Sequence, residues 1–218
     1  MSNLKTFVKL SGLTDPEGAR AVPEGGAAGF VIDSPASPRS LSIARAAELV
    51  AEVPSGAEAW AIVANPETEL IHRLFDEVGV DRVQVYGAVP ANLEFLEIHH
   101  LVPSLAVPRM GAGGVAPAVP PAEDYSRLHL DEGVPALATG SAERVDWEIC
   151  TQLVESNPGR KLVLAGGLTA ESLPDALAFV RPWGVDLGVG VESAPGRIDP
   201  AKLEAAVKAI EAFDHPPA

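Results

Sequence analysis

The residues able to do chemistry gather at the ends of short apolar runs. "TFVKLSGLT" closes on Ser11, "GFVIDS" on Asp33, "VDRVQVYG" on Tyr86, "RLHLDEG" on Asp131, "KLVLAGGL" on Gly166 and Gly167, and "VDLGVG" on Gly188 and Gly190. A carboxyl such as that of Asp131, at the end of an apolar run, can be partly desolvated and its pKa raised, which suits a general acid. A capping or loop-bracing aspartate is the competing reading, and it applies equally to Asp33. The Ser11 hydroxyl can act on a proton at neutral pH only with a partner to accept its own. No histidine adjoins it in sequence, although a closed fold could bring a distant one near.

The Gly166–Gly167 and Gly188–Val189–Gly190 turns put side-chain-free backbone directly after a strand, where amides can approach a phosphate. Either turn alone is equally well a tight bend. Two of them on consecutive final strands favour an anion site. Arg39, in "SPASPRSLS", comes after Pro35 and Pro38, which stiffen its loop. It can present a guanidinium fork to a carboxylate, or simply be a solvated loop arginine.

These residues need a scaffold that brings strand ends together. The runs predict strands at Thr6–Ser11, Ala28–Asp33, Ala59–Ala64, Arg82–Gly87, Leu101–Val107, Arg127–Asp131, Lys161–Gly166 and Val185–Gly190, by their β-branched content and bounding turn residues. Between them "SIARAAELVAEV", "ETELIHRLFDEVG", "ANLEFLEIHH", "VDWEICTQLVES", "TAESLPDALAFV" and "DPAKLEAAVKAIEAF" carry helical spacing, several behind a Ser, Thr or Asp cap. A first helix after "LTDPEGARAV" is cut short by Pro23. The fifth connection, "PRMGAGGVAPAVPPAEDY", holds too much Gly and Pro for a regular helix. Strand–helix alternation implies a parallel sheet, and eight repeats favour closure into one α/β (β/α)8 TIM barrel over residues 1–218. In such a barrel the strands' C-terminal ends form the functional face, with phosphate held after strands 7 and 8.

Composition narrows the partners. A chain of 218 residues with a net charge of −14 lacks the basic clusters that nucleic acid or an anionic membrane requires, while a small anion can still be held locally. Cys150 is the only cysteine, so neither a disulfide framework nor a multi-thiolate metal site is expected. The start, "MSNLKTFVKL", shows neither a signal peptide nor a transmembrane pattern, giving a cytoplasmic expectation. The five histidines lack metal-ligand spacing, and Trp60, Trp147 and Trp183 sit on separate elements, as packing groups do. No metal is expected, and monomer and homodimer both stay open.

In order, these segments resemble the phosphoribosylanthranilate isomerase family of tryptophan biosynthesis. "VKLSGLTDPEGA", "GFVIDSPASPRSLS", "LHLDEG", "VDWEI", "KLVLAGGLTAESL" and "RPWGVDLGVGVESAPGRIDPAKL" carry the resemblance along nearly the whole chain. The resemblance implies a TIM barrel that performs a cofactor-free Amadori rearrangement of a small phosphorylated substrate. An acid protonates the ribose ring oxygen and a base removes the C2′ proton of the resulting Schiff base. It makes Asp131 the general acid, Arg39 a ligand for the anthranilate carboxylate, and Gly166, Gly167, Gly188 and Gly190 the phosphate site.

Four departures accompany the resemblance. Ser11 stands where the family has its catalytic cysteine, the base; Tyr86 replaces a histidine and falls among the substrate-binding positions. The stretch after the acid reads "LATGSAERVDW" instead of Gly-Gly-Thr-Gly, and Val189 removes a hydroxyl from the strand-8 turn. A thiol with a pKa of about 8.5 is readily made a base, whereas a hydroxyl is not. Ser11 acting unaided implies a loss of several orders of magnitude in turnover. Three readings are open: an isomerase with an altered base, a diverged member that binds a sugar phosphate or another anion with little isomerase activity, and a Cys-to-Ser engineered protein.

Overall fold

The computed structural model describes residues 4–94, 98–133 and 143–216. Eight parallel strands close on themselves in sequence order: β1 (Phe7–Ser11), β2 (Ala27–Val31), β3 (Glu58–Ala64), β4 (Arg82–Tyr86), β5 (Leu101–Ala106), β6 (Arg127–Asp131), β7 (Lys161–Leu164) and β8 (Gly184–Leu187). β8 pairs back to β1 with Lys9 opposite Asp186. β1, β3 and β6 end where their apolar runs do, at Ser11, Ala64 and Asp131, whereas β2, β4, β5, β7 and β8 stop one to three residues short of theirs. Residues 165–167 and 188–190 leave the sheet, because positive φ at Gly166 and Gly167 and a short 3-10 turn at Val189–Val191 turn the chain out of it.

Helices α1 (Pro16–Arg20), α2 (Ile43–Val50), α3 (Thr68–Arg73, continued by a π turn over Leu74–Val78), α4 (Trp147–Ser156), α5 (Leu173–Val180) and α6 (Pro200–Asp214) surround the barrel. Their starts reflect local chemistry: the side chains of Asp15, Ser42, Asp146 and Asp199 accept first-turn amides, and Pro16 and Pro200 open their helices. α1 ends at Arg20, ahead of Pro23. The described part of the fifth connection, 107–126, has no helix. Arg160 braces that side instead, donating to the carbonyls of Tyr125 (2.7 and 3.0 Å) and Pro120 (2.8 Å). The helix expected over 91–100 lies partly outside the described residues, as does most of "LATGSAERVDW".

Leucine, isoleucine, valine and alanine fill the layer between barrel and helices. Alternate residues of each strand point into the barrel itself, and these inward residues change character with height. At the floor, Phe7, Ala27, Trp60, Val102 and Val163 pack together, with the Arg127 guanidinium lying over the rings of Phe7, Trp60 and Trp183 at 5.6, 5.7 and 5.0 Å. Glu58 holds Arg127 in place through two hydrogen bonds of 2.6 and 3.0 Å. The middle of the barrel is polar: Lys9, Gln84 and His129 are wholly buried and Asp186 nearly so. The chain's two ends are tied by Asp214, whose carboxylate accepts from the amides of Lys5 (2.7 Å) and Thr6 (2.9 Å) and from the Thr6 hydroxyl (2.7 Å).

Candidate active site

A cavity occupies the C-terminal end of the barrel, with about 620 Å³ of space when its open mouth is included. Ser11, Arg39, Tyr86, Asp131, Gly166, Gly167, Gly188 and Gly190 all line it, so the sequence-predicted residues meet in one place. Asp33 does not join them. It is exposed in a left-handed conformation at the start of the loop after β2.

Asp131 ends β6, and both of its oxygens are held. Tyr86 donates its hydroxyl to Oδ2 at 2.6 Å, and the Glu132 amide donates to Oδ1 at 2.8 Å. Burial nevertheless pushes the Asp131 carboxyl above its ordinary value, outweighing His129 and these hydrogen bonds. Burial also drives the Tyr86 phenol well upward, and the Asp131 charge adds to that shift, so Tyr86 stays a donor.

Arg39 reaches the cavity wall through space that Gly12 leaves open. A Cβ on Gly12 would lie 2.4 Å from the arginine Cδ. Its Nε and Nη2 are committed to Glu192 at 2.7 and 2.5 Å, a two-point pair, while Nη1 is buried without a hydrogen-bond partner among the described residues. Glu192 comes from "GVESAPG" and was not singled out in the sequence. One nitrogen of Arg39 therefore remains to meet an anion.

Gly166 and Gly167 adopt φ of +87° and +61°, which favours glycine, and Gly190 packs so closely on the neighbouring turn that a Cβ would sit 1.9 Å from the Leu168 carbonyl oxygen. The two glycine turns are thus in direct contact beside the cavity. After the first turn Thr169 and Ser172 bond to each other, the Thr169 amide donating to Ser172 Oγ at 2.9 Å, and α5 begins there.

Ser11 is not isolated. Its hydroxyl donates to Asp186 Oδ2 at 2.8 Å and accepts a hydrogen bond from Lys9 Nζ. The same carboxylate oxygen receives Lys9 Nζ at 2.7 Å and lies 2.9 Å from His129 Nε2. The other nitrogen of His129 faces Ser104 Oγ (2.8 Å) and the Gln84 amide nitrogen (3.1 Å). Burial alone would raise the Asp186 carboxyl, but the Lys9 charge and the His129 contact outweigh it and hold the group well below the carboxylate range. Gly29 makes room for this cluster, since a Cβ there would meet Ser11 Oγ at 2.9 Å and Lys9 Nζ at 3.0 Å.

Lys9, His129 and Asp186 are the site groups that strand-end reading missed. Each sits two residues before a strand-end position already noted, on the same inward face, so a period-two reading of "KLS", "HLD" and "DLG" would have found them. Among the described residues no group of three or more histidines, cysteines or carboxylates is arranged to hold a metal.

Fold and site together define a (β/α)8 barrel whose buried acid–base groups and paired glycine turns share the C-terminal mouth. The chain belongs to the N-(5′-phosphoribosyl)anthranilate isomerase family, whose model matches residues 8–209. It is 35% identical to the N-(5′-phosphoribosyl)anthranilate isomerase of Afipia carboxidovorans, over 98% of this chain and 93% of that one. Among solved structures it is similar to the Thermus thermophilus enzyme (TM-score 0.75, 28% identity, covering 95% of this chain and 100% of that one). It is also similar to a phosphoribosylanthranilate isomerase in complex with reduced 1-(o-carboxyphenylamino)-1-deoxyribulose 5-phosphate (TM-score 0.71, 26% identity, covering 95% and 99%). Among the described residues no helix is long and apolar enough to cross a membrane.

Proposed function

We propose that this protein isomerises N-(5-phosphoribosyl)anthranilate to 1-(o-carboxyphenylamino)-1-deoxyribulose 5-phosphate, a step of tryptophan biosynthesis in the cytoplasm. The observation that carries the reading is Asp131, a carboxyl made a weaker acid by burial, standing in one cavity with Arg39, which keeps one buried nitrogen unpaired, and with the glycine turns. Burial favours the protonated form that a general acid needs. Asp131 gives its proton to the ribose ring oxygen as the C1′–O bond breaks and the nitrogen lone pair forms C1′=N. Tyr86 holds the carboxyl in place and stabilises the carboxylate left behind. The turns at Gly166–Gly167 and Gly188–Gly190 take the phosphate, and Arg39 Nη1 faces the anthranilate carboxylate.

Steady-state turnover of phosphoribosylanthranilate by the wild type, measured beside Ser11→Cys, tests this. Wild-type turnover, raised further when the thiol is introduced, is expected. Two inert proteins would overturn the isomerase reading and favour a member that binds a sugar phosphate or another anion without converting it.

A further inference from the structure

The family reading leaves the second proton transfer without an obvious acceptor. Ser11 is a poor one: its hydrogen is already given to Asp186, and its lone pair faces the Lys9 amine. Lys9 is fully enclosed and absent from the cavity wall, and His129 lies beneath Asp186 with Nε2 turned to that carboxylate. Asp186 differs from all three. It lines the cavity, its side chain is only 5% exposed, and while Oδ2 is held by Lys9, Ser11 and His129, Oδ1 has no hydrogen-bond partner among the described residues. A buried carboxylate oxygen left unpaired is costly, and on a residue that lines the cavity it is the oxygen left free to receive a proton.

We propose that Asp186 is the base that removes the C2′ proton, and that Ser11 is a positioning residue that orients the Asp186 carboxylate. The inference rests on the isomerase reading above. Oδ1 takes the proton from C2′; the C2′–H electron pair becomes the C1′=C2′ bond, and the C1′=N pair returns to nitrogen and discharges the iminium. The proton then passes from Asp186 to C1′ as the enol collapses to the ketone, and the enol proton goes to the Asp131 carboxylate, restoring both groups. Lys9 keeps Asp186 ionised, so the base form is always present, at the cost of basicity. That trade accounts for a working site in which a hydroxyl replaces the thiol.

Turnover of phosphoribosylanthranilate is compared among wild type, Ser11→Ala, Asp186→Asn and the double variant Lys9→Met/Asp186→Asn. The double variant removes the lysine charge that Asp186→Asn would leave buried and unpaired. Affinity for the reduced product analogue 1-(o-carboxyphenylamino)-1-deoxyribulose 5-phosphate checks that each site is formed. Both Asp186 variants are expected to lose about a thousandfold or more in kcat, within the usual contribution of a general base, with analogue affinity retained. Ser11→Ala is expected to lose only about tenfold, and the low-pH limb of its kcat/KM profile moves upward because a hydrogen bond to the ionised carboxylate is gone. The charged and titratable groups facing Asp186 in that profile are Lys9, His129, Asp131 and Tyr86.

Ser11→Ala as inactive as the Asp186 variants, or Asp186→Asn within tenfold of wild type, overturns the assignment while leaving the isomerase reading intact. Inert wild-type and Ser11→Cys proteins overturn both.

Discussion

Replacing Asp131 by asparagine should separate what this residue does for the reaction from what it costs the fold. The amide is nearly isosteric. Its oxygen can keep the Glu132 amide as donor, and its NH2 can face the Tyr86 hydroxyl, which has Ser104 beside it as a further partner. What is lost is the transferable proton. General acids contribute about 10²- to 10⁴-fold, or roughly 3–5.5 kcal/mol of transition-state stabilisation, so kcat should fall by that factor with little change in binding of the reduced product analogue.

Stability should move the other way. Burial raises the Asp131 carboxyl, so its contribution to folding is fully present below the ordinary carboxylate pKa and is lost as pH rises through the elevated one. Asparagine has no such loss. Relieving a functional site of this kind typically gains about 1 kcal/mol, or a Tm higher by roughly 2–4 °C for a chain of this size, with the gap between variant and wild type widening from acid toward neutral pH. Turnover, analogue binding and thermal unfolding at several pH values measure all three. Asp131→Asn retaining more than about a tenth of wild-type kcat, or unfolding at a lower temperature than wild type at neutral pH, would refute the reasoning.

Gly190→Ala should push the two glycine turns apart, because its Cβ would overlap the Leu168 carbonyl; KM for the phosphorylated substrate and Kd for inorganic phosphate are expected to rise together, about tenfold or more at a loss of ~1.4 kcal/mol per decade. Asp214→Ala deprives the Lys5 and Thr6 amides and the Thr6 hydroxyl of a charged acceptor and should cost about 2–4 kcal/mol in denaturant unfolding, with kcat unchanged in the folded protein. The Cys150 thiol is pushed up to about 12 by burial, with Asp146 adding to it; at pH 8 it should react with a thiol reagent only as fast as the protein unfolds, which mass spectrometry of a labelling time course will show.

The barrel was legible because each apolar run ends in a change of residue type, and because its intervening segments carry caps and helical spacing. The runs overstated β7 and β8, since Ala165 and Val189 are apolar whether the chain continues the sheet or turns out of it at the glycines. Strand ends revealed Ser11, Tyr86 and Asp131, but the groups beneath them stayed hidden. Lys9, His129 and Asp186 stand inside apolar context, and only a closed barrel turns their side chains toward one another across strands far apart in sequence. Glu192 was hidden for a similar reason: its two-point pair with Arg39 joins loops 153 positions apart.

The floor of the barrel has an isotopic consequence. Beneath the polar layer, Phe7, Trp60, Val102 and Val163 close the interior, and Arg127 stacked on three rings caps it from below. The barrel interior is packed at its floor and opens at the C-terminal mouth. On the proton transfer proposed above, a deuterium placed at C2′ of the substrate is expected to be carried over in part to C1′ of the product, which mass spectrometry of product formed in ordinary water will show; complete washout into solvent would refute this.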